Sequence, residues 1–132
     1  MCKCVLSAPD GILASQYCIR MMVDIVDLCT GLDSTRFTWN SFIEKSSGKW
    51  NILALDQRGW GESPLGYEDE YTAETVAADI EYTLQEDFGD QKVVLMGHSM
   101  GGKVVMKFAA DYPDRCLCVC RLVIGRLQVE YR

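Results

Sequence analysis

The sequence predicts an α/β fold, a mainly parallel sheet with helices on both faces. Short apolar runs rich in Val, Ile and Leu recur at residues 21–29, 50–55, 92–96 and within 117–124. Each is shorter than a helix needs and has the composition that buried strands favour. Helical and loop segments lie between them, so the order reads β, α, β, loop, α, β, α, β. Alternation of this kind marks parallel strands joined by helical crossovers.

Residues 1–20 show no readable pattern. Residues 21–29, MMVDIVDLC, give the first strand, which the turn residues TGLDS at 30–34 end. Phe37, Trp39, Phe42 and Ile43 favour a short helix closed by the Ser46-Ser47-Gly48 break. The second strand, WNILAL at 50–55, runs into the loop DQRGWGESPLG at 56–66. Thr72 is placed to cap the next helix, whose apolar stripe of Val76, Ile80, Leu84 and Phe88 is closed by Gly89. Its other face carries Glu74, Asp79, Glu81, Glu86 and Asp87, read as solvated surface rather than a metal site. KVVLM at 92–96 is the third strand, followed by GHSMGG and a helix through Val104, Val105, Phe108 and Ala109 that stops near Pro113. A fourth strand is expected within 117–124.

At 132 residues the chain is bounded to one domain or part of one, since domains cluster near roughly 100–150 residues. With 48% hydrophobic and 24% charged residues it is neither disordered, coiled-coil nor collagen-like. The net charge of −6 repels phosphate backbones, so no nucleic-acid partner is expected. No window nears the run of about 20 apolar residues that spans a bilayer, so no membrane span is expected. Pro9 and Asp10 interrupt the apolar core that a signal peptide requires, and a cytoplasmic location follows as the expectation. Seven cysteines, an odd number gathered toward the two ends, define no disulfide framework.

Chemistry concentrates at Gly97-His98-Ser99-Met100-Gly101, which fits G-x-S-x-G. The motif lies between an expected strand and an expected helix, the context of a nucleophile elbow. There a serine sits on a strained turn that lifts its hydroxyl above the sheet, and the flanking glycines clear the backbone around it. Ser99 is therefore the candidate nucleophile. The helix N-terminus and the Met100 N–H face the oxyanion that forms when a serine attacks a carbonyl.

With these segments the sequence resembles the α/β-hydrolase family over roughly residues 28–115. The resemblance rests on Thr30-Gly31-Leu32, then Asp56-Gln57-Arg58-Gly59-Trp60-Gly61-Glu62-Ser63, then Gly97-His98-Ser99-Met100-Gly101-Gly102, in the family's order. GHSMGGK followed by FAADYPDR is similar to small acyl-ester hydrolases of the α/β-hydrolase-domain type. Monoacylglycerol lipases and cofactor-free perhydrolases share similar elbows, whereas epoxide hydrolases and dehalogenases carry Asp where Ser99 stands. The resemblance implies a partial α/β-hydrolase fold in whose family order the strand at 21–29 lies between those at 50–55 and 92–96, a single incomplete domain over 1–132, and a serine hydrolase acting on a small acyl ester or thioester. It implies oxyanion donors at Met100 and Leu32, with Gly31 beside them, Trp60 lining an acyl pocket and His98 as a packed elbow residue. Thr30 stands where relatives carry His. The segment from Asp56 is read as scaffold, with Asp56 and Arg58 pairing or bonding loop backbone. No cofactor is expected.

A serine nucleophile needs a base oriented by an acid. In the family both come from loops after later strands than residue 132 reaches. The only histidine in the sequence is His98, whose side chain diverges from that of its neighbour Ser99. Lys103, four residues beyond Ser99, is an outside candidate for the base. Both ends look cut or altered. Cys116 to Cys120 intervenes where relatives run into their next strand, and its alternate cysteines, expected on one strand face, lack zinc-type spacing, so no metal site is expected. The alternative function is a catalytically incomplete hydrolase-like fragment that acts by binding or not at all. A four-strand portion of a larger sheet also leaves edges through which the chain would self-associate.

Overall fold

The computed structural model describes residues 3–6, 25–29, 31, 34–46, 50–66, 71–123 and 126–131. Within these, six strands form one sheet: β1 (Lys3–Leu6), β2 (Ile25–Cys29), β3 (Asn51–Leu55), β4 (Val93–His98), β5 (Cys116–Val123) and β6 (Arg126–Tyr131). Their spatial order is β1-β3-β2-β4-β5-β6. The central four are parallel, and β2 lies between β3 and β4 as the family resemblance implies. A turn of 3-10 helix at Arg36–Trp39 leads into α1 (Asn40–Ser46), followed by α2 (Ala73–Phe88) and α3 (Met100–Asp111).

Two apolar layers hold the sheet. On one face Leu53, Leu55, Val93, Leu95 and Val119 pack under Val76, Ile80 and Leu84 of α2 and Val104, Val105 and Phe108 of α3. On the other, Ile52, Ala54, Val94, Cys118 and Cys120 pack with Trp39 and Ile43. Helices fall on both faces because the β2-to-β3 connection runs one way across the sheet and the β3-to-β4 and β4-to-β5 connections run the other. Right-handed crossovers in opposite directions place their helices on opposite faces.

The α2 helix follows its sequence signals closely. Thr72 has extended backbone and its side chain accepts from the Thr75 N–H at 3.2 Å, while Gly89 forms the C-cap. Thr72→Ala is expected to cost about 1 kcal/mol and Thr72→Ser almost nothing, as read from urea midpoints at unchanged slope. Equal midpoints for the alanine variant and the parent would remove the cap from the account. The expected solvated face is only partly solvated. Glu74, Glu86 and Asp87 are exposed, but Asp79 pairs with Arg58 at 2.7 Å and Glu81 with Arg115 at 3.0 Å.

Three readings of the chain ends change. First, β1 lies in the stretch that had no pattern, and it pairs antiparallel with β3. Second, Cys116 to Cys120 does not precede the next strand; it is the first part of β5, which pairs with β4. Third, β6 turns back on β5; only two residues separate the strands, and so short a link permits antiparallel pairing only. The edges of β3 and β5, from which self-association was expected, are therefore paired. The three alternate cysteines do not share a face either. The β4–β5 register shifts at Val93/Val94, so that Cys116 lies opposite Val93 and Cys118 opposite Val94. That extra residue rotates the strand, leaving Cys116 under α2 and α3 and turning Cys118 and Cys120 to the other layer.

Candidate active site

Neighbouring strands β2 and β4 send their onward connections in opposite directions, and such a switch point opens a crevice beyond the carboxyl ends of the strands. The segment after β2 and the turn after β4 meet there. A Cβ on buried Gly31 would lie 3.3 Å from the Cβ of Ser99 and 3.3 Å from Nδ1 of His98. Glycine is thus the residue that lets the first segment close onto the elbow.

His98 ends β4 and Met100 begins α3, so Ser99 alone turns the chain. Its φ of 53° and ψ of −115° make it the only non-glycine residue with positive φ among those described. Such backbone costs on the order of 1–3 kcal/mol and persists only where surrounding structure imposes it. Here the Ser99 N–H donates to the Leu122 carbonyl at 3.0 Å, and the Gly102 N–H donates to the Ser99 carbonyl at 3.0 Å. At Gly97 an added Cβ would overlap the Gly101 carbonyl group and come within 2.7 Å of the Gly102 nitrogen. The strand end and helix start approach so closely that neither Gly97 nor its partner backbone can yield. Ser99 is exposed, and its side chain makes no capping bond to α3.

The other expected residues divide. Met100 is the first residue of α3, where backbone N–H groups have no intrahelical acceptor. Leu32 and Thr30 lie outside the described residues, next to Gly31. His98 is half-buried, and alternation along β4 puts it on the face of Val94 and Met96. Its Nδ1 is buried without a hydrogen-bond partner among the described residues. Lys103 is exposed on the first turn of α3. Trp60 is half-buried, and its backbone hydrogen bonds stay within its own loop, to Gln57 and Ser63.

Asp56 and Arg58 do not pair with each other. Asp56, fully buried, accepts from the Arg36 N–H at 2.7 Å and pairs with the Arg36 guanidinium, while Arg58 turns away to Asp79. Sequence reading missed two supports of the site. The Leu122 carbonyl comes from β5 and carries no side-chain signal. The Arg121 stem fills the space beside Gly102, where a Cβ would meet its Cγ at 2.7 Å. No group of three or more His, Cys, Asp or Glu side chains among the described residues is arranged to hold a metal ion. No described helix is long and apolar enough to cross a membrane.

Comparison with known proteins agrees with this geometry. The profile of the alpha/beta hydrolase fold matches residues 28–123. The chain belongs to the alpha/beta hydrolase family. It is 33% identical over 99 residues to the bifunctional epoxide hydrolase 2 of Sus scrofa, covering 74% of this chain and 18% of that protein. It is 41% identical over 61 residues to the protein phosphatase methylesterase 1 of Mus musculus, covering 45% of this chain and 16% of that one. A solved esterase from a marine microorganism superposes with a TM-score of 0.72 at 23% identity, over 90% of this chain and 40% of its own. The chain thus spans less than half the length of each. The profile begins at the end of β2 and runs through β5, so it takes in Gly31, the Asp56 loop and the elbow.

Proposed function

We propose that this chain carries the nucleophile of a serine hydrolase acting on a small acyl ester or thioester. The observation that carries the reading is the strained, exposed Ser99 between β4 and α3. In this mechanism Ser99 Oγ attacks the acyl carbonyl as its proton passes to a base. The oxyanion is held by the Met100 N–H and the Leu32 N–H, and the leaving group departs with a proton. Water then cleaves the acyl-enzyme by the same route. The steps need neither metal nor organic cofactor.

The choice of serine selects the substrate class. If Ser99 opened an epoxide it would be left in an ether, which water does not cleave, and turnover would stop. Acyl transfer leaves an ester, which water does cleave. The likeness to an epoxide hydrolase therefore supports the scaffold, while the elbow residue supports acyl chemistry.

A second reading, a hydrolase-like chain with no turnover of its own, is favoured by one observation. His98 is the only histidine in the sequence, and its buried Nδ1 makes no hydrogen bond, to Ser99 or otherwise, among the described residues. Fluorophosphonate treatment followed by peptide mapping is expected to place the phosphonyl group on Ser99 and to fail with Ser99→Ala. Labelling that persists in the variant sinks the nucleophile assignment. A folded wild-type chain that takes no label selects the second reading.

A further inference from the structure

Two consecutive residues of β5 grip the elbow. The Leu122 carbonyl accepts the Ser99 N–H at 3.0 Å. Arg121, half-buried and opposite Gly97 in the β4–β5 register, lays its stem against the first turn of α3. A Cβ at Gly102 would meet the Arg121 Cγ at 2.7 Å and its Cδ at 3.0 Å, whereas the Gly97 carbonyl oxygen would lie at an ordinary 3.7 Å. Gly102 in turn donates its N–H to the Ser99 carbonyl. We infer that Arg121 is a positioning residue for the nucleophile, an inference that rests on Ser99 as that nucleophile. Its stem, wedged between β5 and α3, holds Ser99 in the backbone conformation from which it attacks.

The guanidinium keeps the stem in place. Its Nη1 donates to the Met106 Sδ at 3.0 Å, and its Nη2 donates to Gln128 Oε1. Met106 stands one turn beyond Gly102 on the same side of α3, and Gln128 lies opposite Arg121 in the β5–β6 pair. The side chain thus runs along α3 from its first turn to its second, pinned at its far end to the helix and to β6. An aliphatic residue could fill the same space, but it would have no polar head to fix it at this partly solvated margin. Positive φ at a serine persists only where surrounding structure imposes it. The Leu122 carbonyl imposes it from the strand, and the Arg121 stem imposes it from the helix. With the stem gone, the first turn of α3 can settle toward β5 and carry the Ser99 backbone and Oγ with it. Small displacements of a reacting group slow its reaction out of proportion to their size.

The test takes the wild-type chain, Arg121→Ala, Gly102→Ala and the double variant through two readouts. One is fluorophosphonate labelling of Ser99, separated into affinity and maximal rate. The other is amide hydrogen exchange at Ser99 and Gly102. Arg121→Ala is expected to lower the maximal labelling rate about tenfold at unchanged affinity. Exchange at the two amides should quicken about tenfold while Ile80 and Leu84 of α2 exchange as before, which separates local release from a global loss of stability. Gly102→Ala should do the same by displacing the stem. In the double variant the alanine methyl takes the place of the stem, so both readouts should return to within about threefold of wild type. Gln128→Ala, which frees the guanidinium and keeps the stem, should quicken exchange about threefold. It decides the matter if alanine at 121 prevents folding, and no change there then overturns the inference. Arg121→Ala indistinguishable from wild type, or a double variant as impaired as the two single changes combined, overturns it as well. If no form of the chain takes label, the nucleophile reading falls and exchange alone decides. Exchange quickened by Arg121→Ala and recovered in the double variant supports Arg121 as the brace of the turn, and unchanged exchange overturns it.

Discussion

Arg36→Ala is expected to remove about 3–5 kcal/mol of folding free energy, the usual consequence of stripping the partner from a buried charge. The Asp56 side chain is fully buried at the end of β3, whereas Glu62, the other acid that Arg36 touches, is 65% exposed. Arg36 reaches Asp56 through both its guanidinium and its backbone N–H. The guanidinium pKa is raised, first by its hydrogen bond to Glu62 and then by the charges of Asp56 and Glu62 against a burial that lowers it. Alanine leaves Asp56 with backbone donors from residue 36 and, at 3.2 Å, Glu62. Those two bonds hold the expected loss toward the lower end of the range. Removing both charges together, in Arg36→Ala/Asp56→Ala, should cost less than the sum of the single changes, because no orphaned carboxylate remains. Glu62→Gln should cost under about 1 kcal/mol, since that pair is open to solvent. Urea unfolding reads all four chains. A loss below about 1 kcal/mol for Arg36→Ala would mean that Asp56 is satisfied by backbone alone. Against a whole-domain stability of about 5–15 kcal/mol, the expected loss decides whether the chain stays folded.

What the sequence disclosed follows from how local each signal is. Helix α2 was readable from end to end because its stripe, its Thr72 cap and its Gly89 stop all act within a few residues. The elbow was readable for the same reason: strand, strained turn and helix are contiguous, and Gly97 and Gly101 report the close approach directly. By contrast, Lys3–Leu6 has only four residues and becomes a strand by pairing with β3, a partner remote in sequence. The Asp56–Arg36 pair also joins residues far apart, whereas the neighbour Arg58 offered a nearer but incorrect partner. The β6 segment did carry a signal. Leu127, Val129 and Tyr131 alternate with Arg126, Gln128 and Glu130, a period-two pattern that the cysteine-rich tail before it obscured. The register shift that separates Cys116 from Cys118 had no such signal, since one extra residue in a strand leaves composition and alternation unchanged.

The 132-residue chain is expected to hydrolyse p-nitrophenyl acetate or butyrate on the order of 10⁴–10⁶ times more slowly than a family member with a complete triad. That range corresponds to about 5–8 kcal/mol of lost transition-state stabilisation. A serine hydroxyl attacks slowly unless a base accepts its proton, and neither of the two candidates weighed above is placed for that role. His98 lies on the α1 face, with its Nδ1 buried near Gly31. Lys103 is exposed to solvent on the first turn of α3, without the buried surroundings in which lysines act as catalytic bases. The helix N-terminus and the Met100 N–H still favour the oxyanion, so a small advantage over water should remain and should vanish in Ser99→Ala. Steady-state hydrolysis by folded protein, with Ser99→Ala and Lys103→Ala as controls, measures both the rate and its source. Turnover like that of a complete enzyme, abolished by both substitutions, would establish a Ser-Lys pair and overturn the reading of Lys103 as a solvated side chain. Such turnover abolished by Ser99→Ala alone would require a base among residues outside those described. Residual activity equal in wild type and Ser99→Ala would remove Ser99 from the chemistry and leave the chain as a binding scaffold of the hydrolase fold.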